Sequence, residues 1–176
     1  MRECISAALT WTNEENFIDS FDPISINSNE RSKGVGIMDE KVKAAIFRQV
    51  GKEPFAKKFG LRLIDLNDGY SKVEMDFTRD MENIFGMAHG GALFALIDEA
   101  FETASNSHGT VAVALNMNIT YISPPSQGSK LIAEAKELNR TNRTAVYDIK
   151  VVDDQSNLIA SCQALVYRKG NPLPFL

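Results

Sequence analysis

Three carboxylates inside an apolar segment are the features of this chain that first indicate chemistry. Residues 92–104 consist mainly of Ala, Leu, Ile and Phe, and their only charges are Asp98, Glu99 and Glu102. A helix that is apolar on nearly every side is buried rather than exposed. An ionised carboxylate is costly in such a helix unless it is paired or has a use. The segment therefore predicts a buried helix whose acids need a structural or chemical reason.

A glycine-rich turn leads into this helix, with Gly86 followed by His89, Gly90 and Gly91. The first N–H groups of a helix have no partner within it, and the helix dipole favours negative charge there. Glycine lets a bound group come close to the backbone. The turn is therefore suited to stabilise negative charge that develops on a carbonyl oxygen, an effect typically worth about 3 kcal/mol per donor.

Length, composition and charge place the chain among globular proteins. It has 176 residues, 44% of them apolar and 24% charged, with a formal net charge of -4. The acidic balance argues against a nucleic-acid partner, and no apolar run reaches the roughly 20 residues that span a bilayer. Cys4 and Cys162 form no metal-type or redox-type spacing. With no secretory pattern at the start, these features predict a cytoplasmic protein without nucleic-acid or membrane partners.

Residues 1–37 differ in character from the rest of the chain. They mix Asn, Ser, Glu and Asp with scattered Ile and Phe, without sustained periodicity. Such a composition predicts a flexible or loosely docked N-terminal extension. Residues 38–176 then form the single folded domain.

The periodicity of this domain predicts an α+β fold. A short amphipathic helix is expected over residues 38–50. A hairpin is expected after it, with its turn at residues 67–69. Val73, Met75 and Phe77 are expected to be buried on one face of this hairpin. Short connections between the later strands favour antiparallel neighbours. One antiparallel sheet curved around the long helix would cover it. Strands are expected at residues 61–66, 111–121, 129–139, 143–153 and 157–168.

Three further details of the chain can be predicted locally. Alternate apolar residues from Val111 to Tyr121 are expected on one face of their strand. His108, just before Gly109, is expected to be part of the cap of the long helix. Residues 171–176, which contain two prolines, are expected to be irregular.

The residues around the long helix resemble those of a known family. The pattern N-x-x-G-x-x-H-G-G, then six residues, then D-E-A-F, is similar to that of the hotdog-fold acyl-CoA thioesterases, in their phenylacetic-acid-degradation (PaaI-like) branch. The segment Ala114–Pro125 is similar to the central strand of that family. The resemblance spans about residues 45–168 and implies a hotdog fold, an antiparallel curved sheet wrapped around one central helix. The residues that carry the pattern are Asn83, Gly86, His89, Gly90, Gly91, Asp98, Glu99, Ala100 and Phe101.

The resemblance implies roles for four residues in thioester hydrolysis. Asp98 matches the catalytic carboxylate, acting as general base or as a nucleophile that forms a mixed anhydride. Gly90 matches the glycine whose backbone N–H polarises the thioester carbonyl. Asn83 and His89 match supporting polar residues. Without this motif, Asp98 would be interpreted as a salt-bridged acid and Asn83 as a loop residue that bonds its own backbone.

One position departs from the family pattern. Several relatives carry a Ser or Thr near the start of the central strand, where it helps to hold the attacking water, and Ala114 stands there in this chain. Asn83 or Asn116 is expected to supply that role instead. Gly91 and Asn116 are also expected to contact the substrate.

The spacing of the two principal residues predicts an oligomer. Gly90 and Asp98 are eight positions apart, which is about 12 Å along a helix. A carboxylate side chain is too short to bridge that distance, so the two residues of one chain are not expected to serve one carbonyl. Each site is therefore expected to combine Gly90 of one subunit with Asp98 of another across a two-fold interface. The expected assembly is a homodimer that associates further into a dimer of dimers, a homotetramer.

The coenzyme A part of the substrate needs its own surface. Arg140, Asn142, Arg143 and Thr144 lie at a predicted strand connection and are expected to meet its phosphates, although a charged hairpin tip in water is an equally good interpretation. The sequence displays no metal-ligand cluster and no Gly-rich phosphate loop. We therefore expect no metal and no cofactor, with coenzyme A entering only as part of the substrate.

Two other functions are compatible with the pattern. A hotdog dehydratase or hydratase would also act on acyl thioesters, but that chemistry usually pairs a His with a carboxylate, and no second motif places them so. A non-catalytic acyl-CoA-binding module would keep the fold without turnover. The favoured interpretation is a thioesterase for an arylacetyl or medium-chain acyl-CoA, in which Glu99 and Glu102 are solvated or interface charges.

Overall fold

The computed structural model describes residues 38–176, and the extension predicted over residues 1–37 lies outside the described residues. In the described part, two short helices precede a hairpin, a long helix and four further strands. The six strands form one sheet in the order β1-β2-β4-β5-β6-β3, and all neighbours are antiparallel. The elements are α1 (Glu40–Val50), α2 (Pro54–Phe59), β1 (Arg62–Asn67), β2 (Tyr70–Asp76), α3 (Gly90–Asn106), β3 (Thr110–Tyr121), β4 (Lys130–Arg140), β5 (Thr144–Asp153) and β6 (Leu158–Pro172).

The first helix is confirmed, and a second one follows it that the sequence analysis did not predict. The side chain of Asp39 accepts a hydrogen bond from Lys41 N at 2.8 Å and so caps α1. Pro54 begins α2, a favoured position for proline because a first-turn N–H needs no partner. Gly60 ends α2 with a left-handed φ of 64°. At six residues, α2 is too short to show a helical period.

The sheet curves around α3, as predicted for a central buried helix. Eleven of the 17 residues of α3 are buried, and Phe101 packs edge to face against Tyr147 of β5 with ring centroids 5.4 Å apart. Val73, Met75 and Phe77 are buried, which confirms the predicted face of the hairpin. The hydroxyl of Ser71 donates to the carbonyl of Ala100 at 2.6 Å and ties β2 to the helix.

The predicted single apolar face of β3 is wrong. A bulge between Ala114 and Asn116 shifts the register of β3 against β6. Directly paired residues share a face, and Ala114 pairs with Val166 while Met117 pairs with Ala164, both of which are buried. Ala114 and Met117 therefore lie on the same side of the sheet, whereas strict alternation would have placed them on opposite sides.

Strand β6 is longer than predicted. It continues to Pro172, so the expectation of irregular structure over residues 171–176 is wrong for its first two positions. Leu173 is buried, and its N–H donates to the carbonyl of Gly109 at 3.1 Å. Within residues 38–176, no helix has the length and apolar character that crossing a membrane requires.

Strand β3 forms one edge of the sheet and leaves large apolar side chains exposed. It pairs with β6 alone among the described strands. A long edge strand with apolar side chains is normally covered by another chain or another element. The exposed side chains on β3 and just after it are Val113, Leu115, Tyr121 and Ile122.

Candidate active site

The beginning of α3 presents one free backbone donor. His89 is the N-cap residue, and its Nδ1 accepts a hydrogen bond from Gly91 N at 2.9 Å. The N–H of His89 itself donates to the carbonyl of Met81 at 2.8 Å. The N–H of Gly90 has no acceptor among residues 38–176. The predicted polarising donor is thus available, and His89 supports it by fixing the first turn of the helix.

Asn83 organises the loop before the helix. Its Oδ1 accepts hydrogen bonds from Phe85 N at 2.9 Å and from Met87 N at 3.2 Å. Gly86 closes this loop with a φ of 71°, which glycine adopts readily. The structural interpretation of Asn83 as a loop residue is therefore correct. It does not exclude contact with a ligand, because Asn83 also lines the cavity next to Gly90.

Gly90 lines a cavity of about 310 Å³ together with Tyr121 at the end of β3. The hydroxyl of Tyr121 donates to the carbonyl of Gly90 at 3.1 Å. A Cβ atom at position 90 would lie 3.2 Å from the Tyr121 ring and hydroxyl, tighter than ordinary contact. Glycine at this position therefore lets Tyr121 pack closely against the start of the helix. The remaining lining residues are Asn83, Met87, Ala88, Leu93, Ile122, Ser123, Pro124 and Pro125.

Asp98 lines a different cavity, of about 240 Å³. Its carboxylate makes no hydrogen bond and no ion pair with the described residues, and burial raises its pKa above that of an ordinary aspartate. Ala114, where relatives carry a hydroxyl, lies in the same cavity. So does Ser105, whose hydroxyl donates to the carbonyl of Glu102 at 3.1 Å. Ser105 had no predicted role, but it lies seven residues after Asp98, about two helical turns, and so on the same face of the helix. This spacing is the signal that could have identified it.

The two cavities have no lining residue in common. Within one chain, the structure brings Asn83 and His89 to Gly90 but does not bring Asp98 to them. Gly91 is exposed beside the His89 ring. Asn116 is exposed on β3, accepts a hydrogen bond from Asn118 at 2.6 Å, and lines neither cavity. Asn116 is therefore not placed to hold water for Asp98 of its own chain.

Of the two alternatives predicted for Glu99, the solvated charge is wrong, and the interface charge stays a prediction. Glu99 is only 3% exposed, and its Oε1 has no hydrogen-bond partner among the described residues. Burial, with the nearby charges of Glu53, Glu102 and Asp98, raises the pKa of Glu99 to about 8. One carboxylate oxygen from each of Glu53, Glu99 and Glu102 lies within 4.8 Å of the others. Glu102 itself is exposed, in agreement with its prediction.

The four residues predicted to meet coenzyme A separate into two pairs. Arg140 and Asn142 line a polar cavity of about 660 Å³ that also includes His108 and Arg168. Arg143 instead donates to the hydroxyl of Tyr167 at 2.7 Å. The hydroxyl of Thr144 lies 3.0 Å from that of Thr141 within the β4–β5 turn. Neither Arg143 nor Thr144 lines this polar cavity.

A histidine and a carboxylate are paired beside this polar cavity, although no sequence motif placed them together. Nε2 of His108 lies 2.8 Å from Oε2 of Glu137, which also accepts a hydrogen bond from the hydroxyl of Tyr147 at 2.7 Å. Burial alone would raise the pKa of Glu137, but the hydrogen bonds from His108 and Tyr147 lower it. Arg140 lies 3.5 Å from the other carboxylate oxygen. His108 therefore anchors the end of α3 to β4 rather than only capping the helix.

Comparison with known proteins agrees with this geometry. A family model described as thioesterase superfamily matches residues 85–160. The acyl-coenzyme A thioesterase PaaI of Escherichia coli (strain K12) is 36% identical over 118 residues, which are 67% of this chain and 84% of PaaI. The structure of the E. coli PaaI protein has a TM-score of 0.73 at 32% identity, covering 77% of this chain and 98% of that chain. A mutant of PaaI from Thermus thermophilus has a TM-score of 0.63 at 38% identity, covering 66% and 99% respectively.

The fold and the helix entry thus define a hotdog thioesterase, and the chain belongs to the thioesterase superfamily. Within that superfamily it is a PaaI-like protein, and it is a thioester hydrolase.

Proposed function

We propose that this enzyme hydrolyses acyl-CoA thioesters to a free acid and coenzyme A, with Asp98 as the base and the N–H of Gly90 as the donor to the carbonyl oxygen. The name of the E. coli relative, an acyl-coenzyme A thioesterase, supports the substrate class. The observation that carries the assignment of residues is that both groups line cavities and neither has a partner within residues 38–176. An arylacetyl or medium-chain acyl group is the proposed cargo.

The edge strand β3 supports a site shared between two subunits. The Gly90 cavity is lined by Tyr121 at the end of β3, and the Asp98 cavity is lined by Val113 and its neighbours at the beginning of the same strand. If two copies of β3 pair antiparallel about a two-fold axis near Met117, the beginning of each strand lies beside the end of the other. The Gly90 cavity of one subunit then adjoins the Asp98 cavity of its mate.

This pairing would also cover the exposed apolar residues of β3, which gives the dimer a physical driving force. A homodimer is therefore the smallest assembly that completes the proposed site, and we propose a dimer of dimers as the full assembly. The thiol of Cys162, which is free and buried, fits a reducing cytoplasm, where we place the protein.

The proposed reaction needs only a water molecule and the substrate. Asp98 takes a proton from water as the water oxygen attacks the thioester carbonyl carbon. The carbonyl oxygen becomes negative and accepts a hydrogen bond from Gly90 N. The tetrahedral intermediate then collapses, the carbon–sulfur bond breaks, and the thiolate of coenzyme A leaves and takes up a proton. No metal or cofactor takes part in these steps.

Water activation is preferred to direct attack by Asp98 for a geometric reason. The cavity beside Asp98 has a volume several times the roughly 30 Å³ that one water molecule occupies in the liquid. Ser105 lines the same cavity and carries a hydroxyl, the group that Ala114 lacks. We therefore propose Ser105, rather than Asn83 or Asn116 of the same chain, as the residue that positions the water.

For the coenzyme A end of the substrate, we propose that its phosphates bind at the polar cavity that contains Arg140 and Asn142. Arg168 adds a second guanidinium to this cavity. Arg143 and Thr144 do not line this cavity and would contribute less.

The paired His108 and Glu137 do not favour the dehydratase alternative. Glu137 is engaged by His108, Tyr147 and Arg140, and its pKa is lowered, so it is a weak base. The cavity beside it is lined mainly by polar groups, whereas an acyl chain needs apolar walls.

A hydrolysis screen over acyl-CoA thioesters tests the proposed function. The wild-type protein is expected to release coenzyme A from at least one arylacetyl or medium-chain thioester, and Asp98→Asn is expected to lose roughly 100-fold or more in kcat. Equal turnover by both proteins would exclude Asp98 as the base. Acyl-CoA binding without turnover, in wild type and Asp98→Asn alike, would identify a binding module instead.

A further inference from the structure

A cluster of three carboxylates lies between α2 and α3, and the sequence does not reveal it. We call Glu53, Glu99 and Glu102 the glutamate cluster. Glu53 is the residue before α2, and Glu99 and Glu102 lie one turn apart on α3. One oxygen atom from each of the three lies within 4.8 Å of the others. Three like charges at such distances repel one another unless protons or a cation neutralise them.

Glu99 lacks a counter-charge within the described part of the chain. Its side chain is only 3% exposed, and its Oε1 accepts no hydrogen bond. None of the ion pairs among residues 38–176 includes a member of the glutamate cluster. A buried carboxylate oxygen without a donor carries a large desolvation cost. Such a group is stable when a ligand completes it.

The space next to the glutamate cluster is suitable for a hydrated cation. A cavity of about 280 Å³ is lined by all three glutamates, by the polar residues Gln49, Thr103 and Asn106, and by eight apolar residues. Thr103 and Asn106 also donate hydrogen bonds to backbone carbonyls of α3. The polar groups of the lining are carboxylate, amide and hydroxyl groups, with no His or Cys among them. Oxygen donors of this kind bind Ca²⁺, Mg²⁺ and Mn²⁺ rather than Zn²⁺ or Cu⁺.

The number of carboxylates favours calcium among these cations. Ca²⁺ takes about six to eight oxygen ligands in flexible geometry, whereas Mg²⁺ demands a near-ideal octahedron and is usually held by only about one or two carboxylates together with water. Three carboxylates whose oxygens lie within 4.8 Å of one another are therefore more typical of a Ca²⁺ site.

We propose that Glu53, Glu99 and Glu102 bind one calcium-sized divalent cation per chain. Asp98 is not one of its ligands, although Glu102 also lines the Asp98 cavity. The cation would join the start of α2 to the middle of α3 and neutralise negative charge near Asp98. It takes no part in the proposed hydrolysis.

Calorimetric titration of the full-length protein tests this proposal without an activity measurement. The protein is first freed of metal with EDTA and then titrated with CaCl₂, MgCl₂ or MnCl₂ at about pH 8. We expect one Ca²⁺ per chain and weaker binding of Mg²⁺. The Tm should rise with Ca²⁺ concentration, since the cation binds the folded state.

Matched variants identify the ligands. Glu99→Gln and, independently, Glu53→Gln are expected to weaken Ca²⁺ binding on the order of 10–100-fold, because each removes a charged ligand. Glu40 is an exposed residue at the start of α1. Glu40→Gln should therefore bind Ca²⁺ as the wild type does. Absence of Ca²⁺ binding to the wild type at millimolar concentration, or unchanged binding by both cluster variants, would overturn the proposal. Tighter binding of Mg²⁺ than of Ca²⁺ would overturn the assignment of cation size.

Discussion

Gly90 and Asp98 lie on the same helix, eight residues apart, yet they line two cavities that share no residue. A thioester carbonyl held at Gly90 is therefore out of reach of Asp98 in the same chain. The proposed antiparallel pairing of β3 removes this difficulty, because it joins the two cavities across the subunit interface. The interface is then part of the catalytic unit.

Mixing two inactive variants tests this arrangement. Subunits with Gly90→Pro lack the N–H donor, and subunits with Asp98→Asn lack the base. After denaturation and joint refolding in equal amounts, half of the dimers are mixed, and one of the two shared sites in each is intact. Activity should return to about a quarter of the wild-type value. Mixtures that stay as inactive as the separate variants would show that Gly90 and Asp98 do not share a site.

The N–H of Gly90 can be removed with little damage to the helix. Gly90 is the first residue of α3, where proline is tolerated, and His89 has φ −69° and ψ 131°, the extended conformation that proline favours before it. Gly90→Pro should lower kcat by roughly 10²–10³ through loss of one donor to the oxyanion.

Gly90→Ala provides the matched control for this variant. It adds a Cβ that meets the same Tyr121 ring at 3.2 Å but keeps the N–H. The ratio of the two kcat values therefore isolates the hydrogen bond from the steric effect. Equal kcat values for Gly90→Pro and Gly90→Ala would mean that the N–H does not act on the carbonyl.

Ser105 should influence the attacking water. Ser105→Ala is expected to reduce kcat by roughly 10-fold, the value of one hydrogen bond of about 1.4 kcal/mol. Adding Ala114→Ser should recover part of this loss, because both positions line the Asp98 cavity. Thr103→Val is the control. Like Ser105, Thr103 donates its hydroxyl to a helix carbonyl, at 2.8 Å, but it lines the cavity of the glutamate cluster and not the Asp98 cavity. Equal losses in Ser105→Ala and Thr103→Val would indicate a helix effect and not a water contact.

The elements with a clear period could be predicted from sequence, and the contacts between distant elements could not. The β1–β2 hairpin follows from alternation and a turn containing Gly69, and α3 follows from its apolar length after a glycine-rich turn. The bulge before Asn116 has no local signature, so the two faces of β3 were assigned incorrectly. Glu53 and Glu99 are far apart in the chain, and only the packing of α2 against α3 brings their carboxylates together.

The same limit applies to the site. The spacing of Gly90 and Asp98 was sufficient to predict that one chain cannot complete a site, because helix geometry is fixed. The partners of Arg143 and His108 depend on the register of β4, β5 and β6, which one sequence does not determine. Arg143 therefore looked as suitable for phosphate as Arg140, and the bond between His108 and Glu137 was not foreseen.

Arg140 should bind the phosphates of coenzyme A. Arg140→Gln is expected to raise KM for acyl-CoA by roughly 10-fold with little change in kcat, because a hydrogen bond to a charged group contributes about 1.5–3 kcal/mol. The acyl-pantetheine thioester, which has no phosphate, should give the same KM with the variant and the wild type. Arg143→Gln should have a smaller effect on KM, since Arg143 does not line this cavity. A rise in KM for acyl-pantetheine as well would point to a structural defect.

The glutamate cluster should make the metal-free protein less stable as the pH rises. In the folded state the pKa of Glu99 is about 8, whereas in the unfolded state it is that of an ordinary glutamate. Between these two pKa values, the folded state therefore holds a proton that the unfolded state has released. This contribution to stability is fully present below about pH 4.5 and is lost as the pH rises to about 8. The maximum slope is about −1.4 kcal/mol per pH unit for one such proton.

Glu99→Gln removes that proton-linked difference while keeping the size of the side chain. The free energy of unfolding can be measured with urea, in the presence of EDTA, between about pH 5 and about pH 8.5. It should fall less steeply with pH for Glu99→Gln than for the wild type. At the highest pH, the variant should be the more stable protein. Glu40→Gln should follow the wild-type pH dependence, since Glu40 is exposed. Parallel curves for Glu99→Gln and the wild type would show that Glu99 titrates as an ordinary glutamate, which would require a counter-charge that residues 38–176 do not provide.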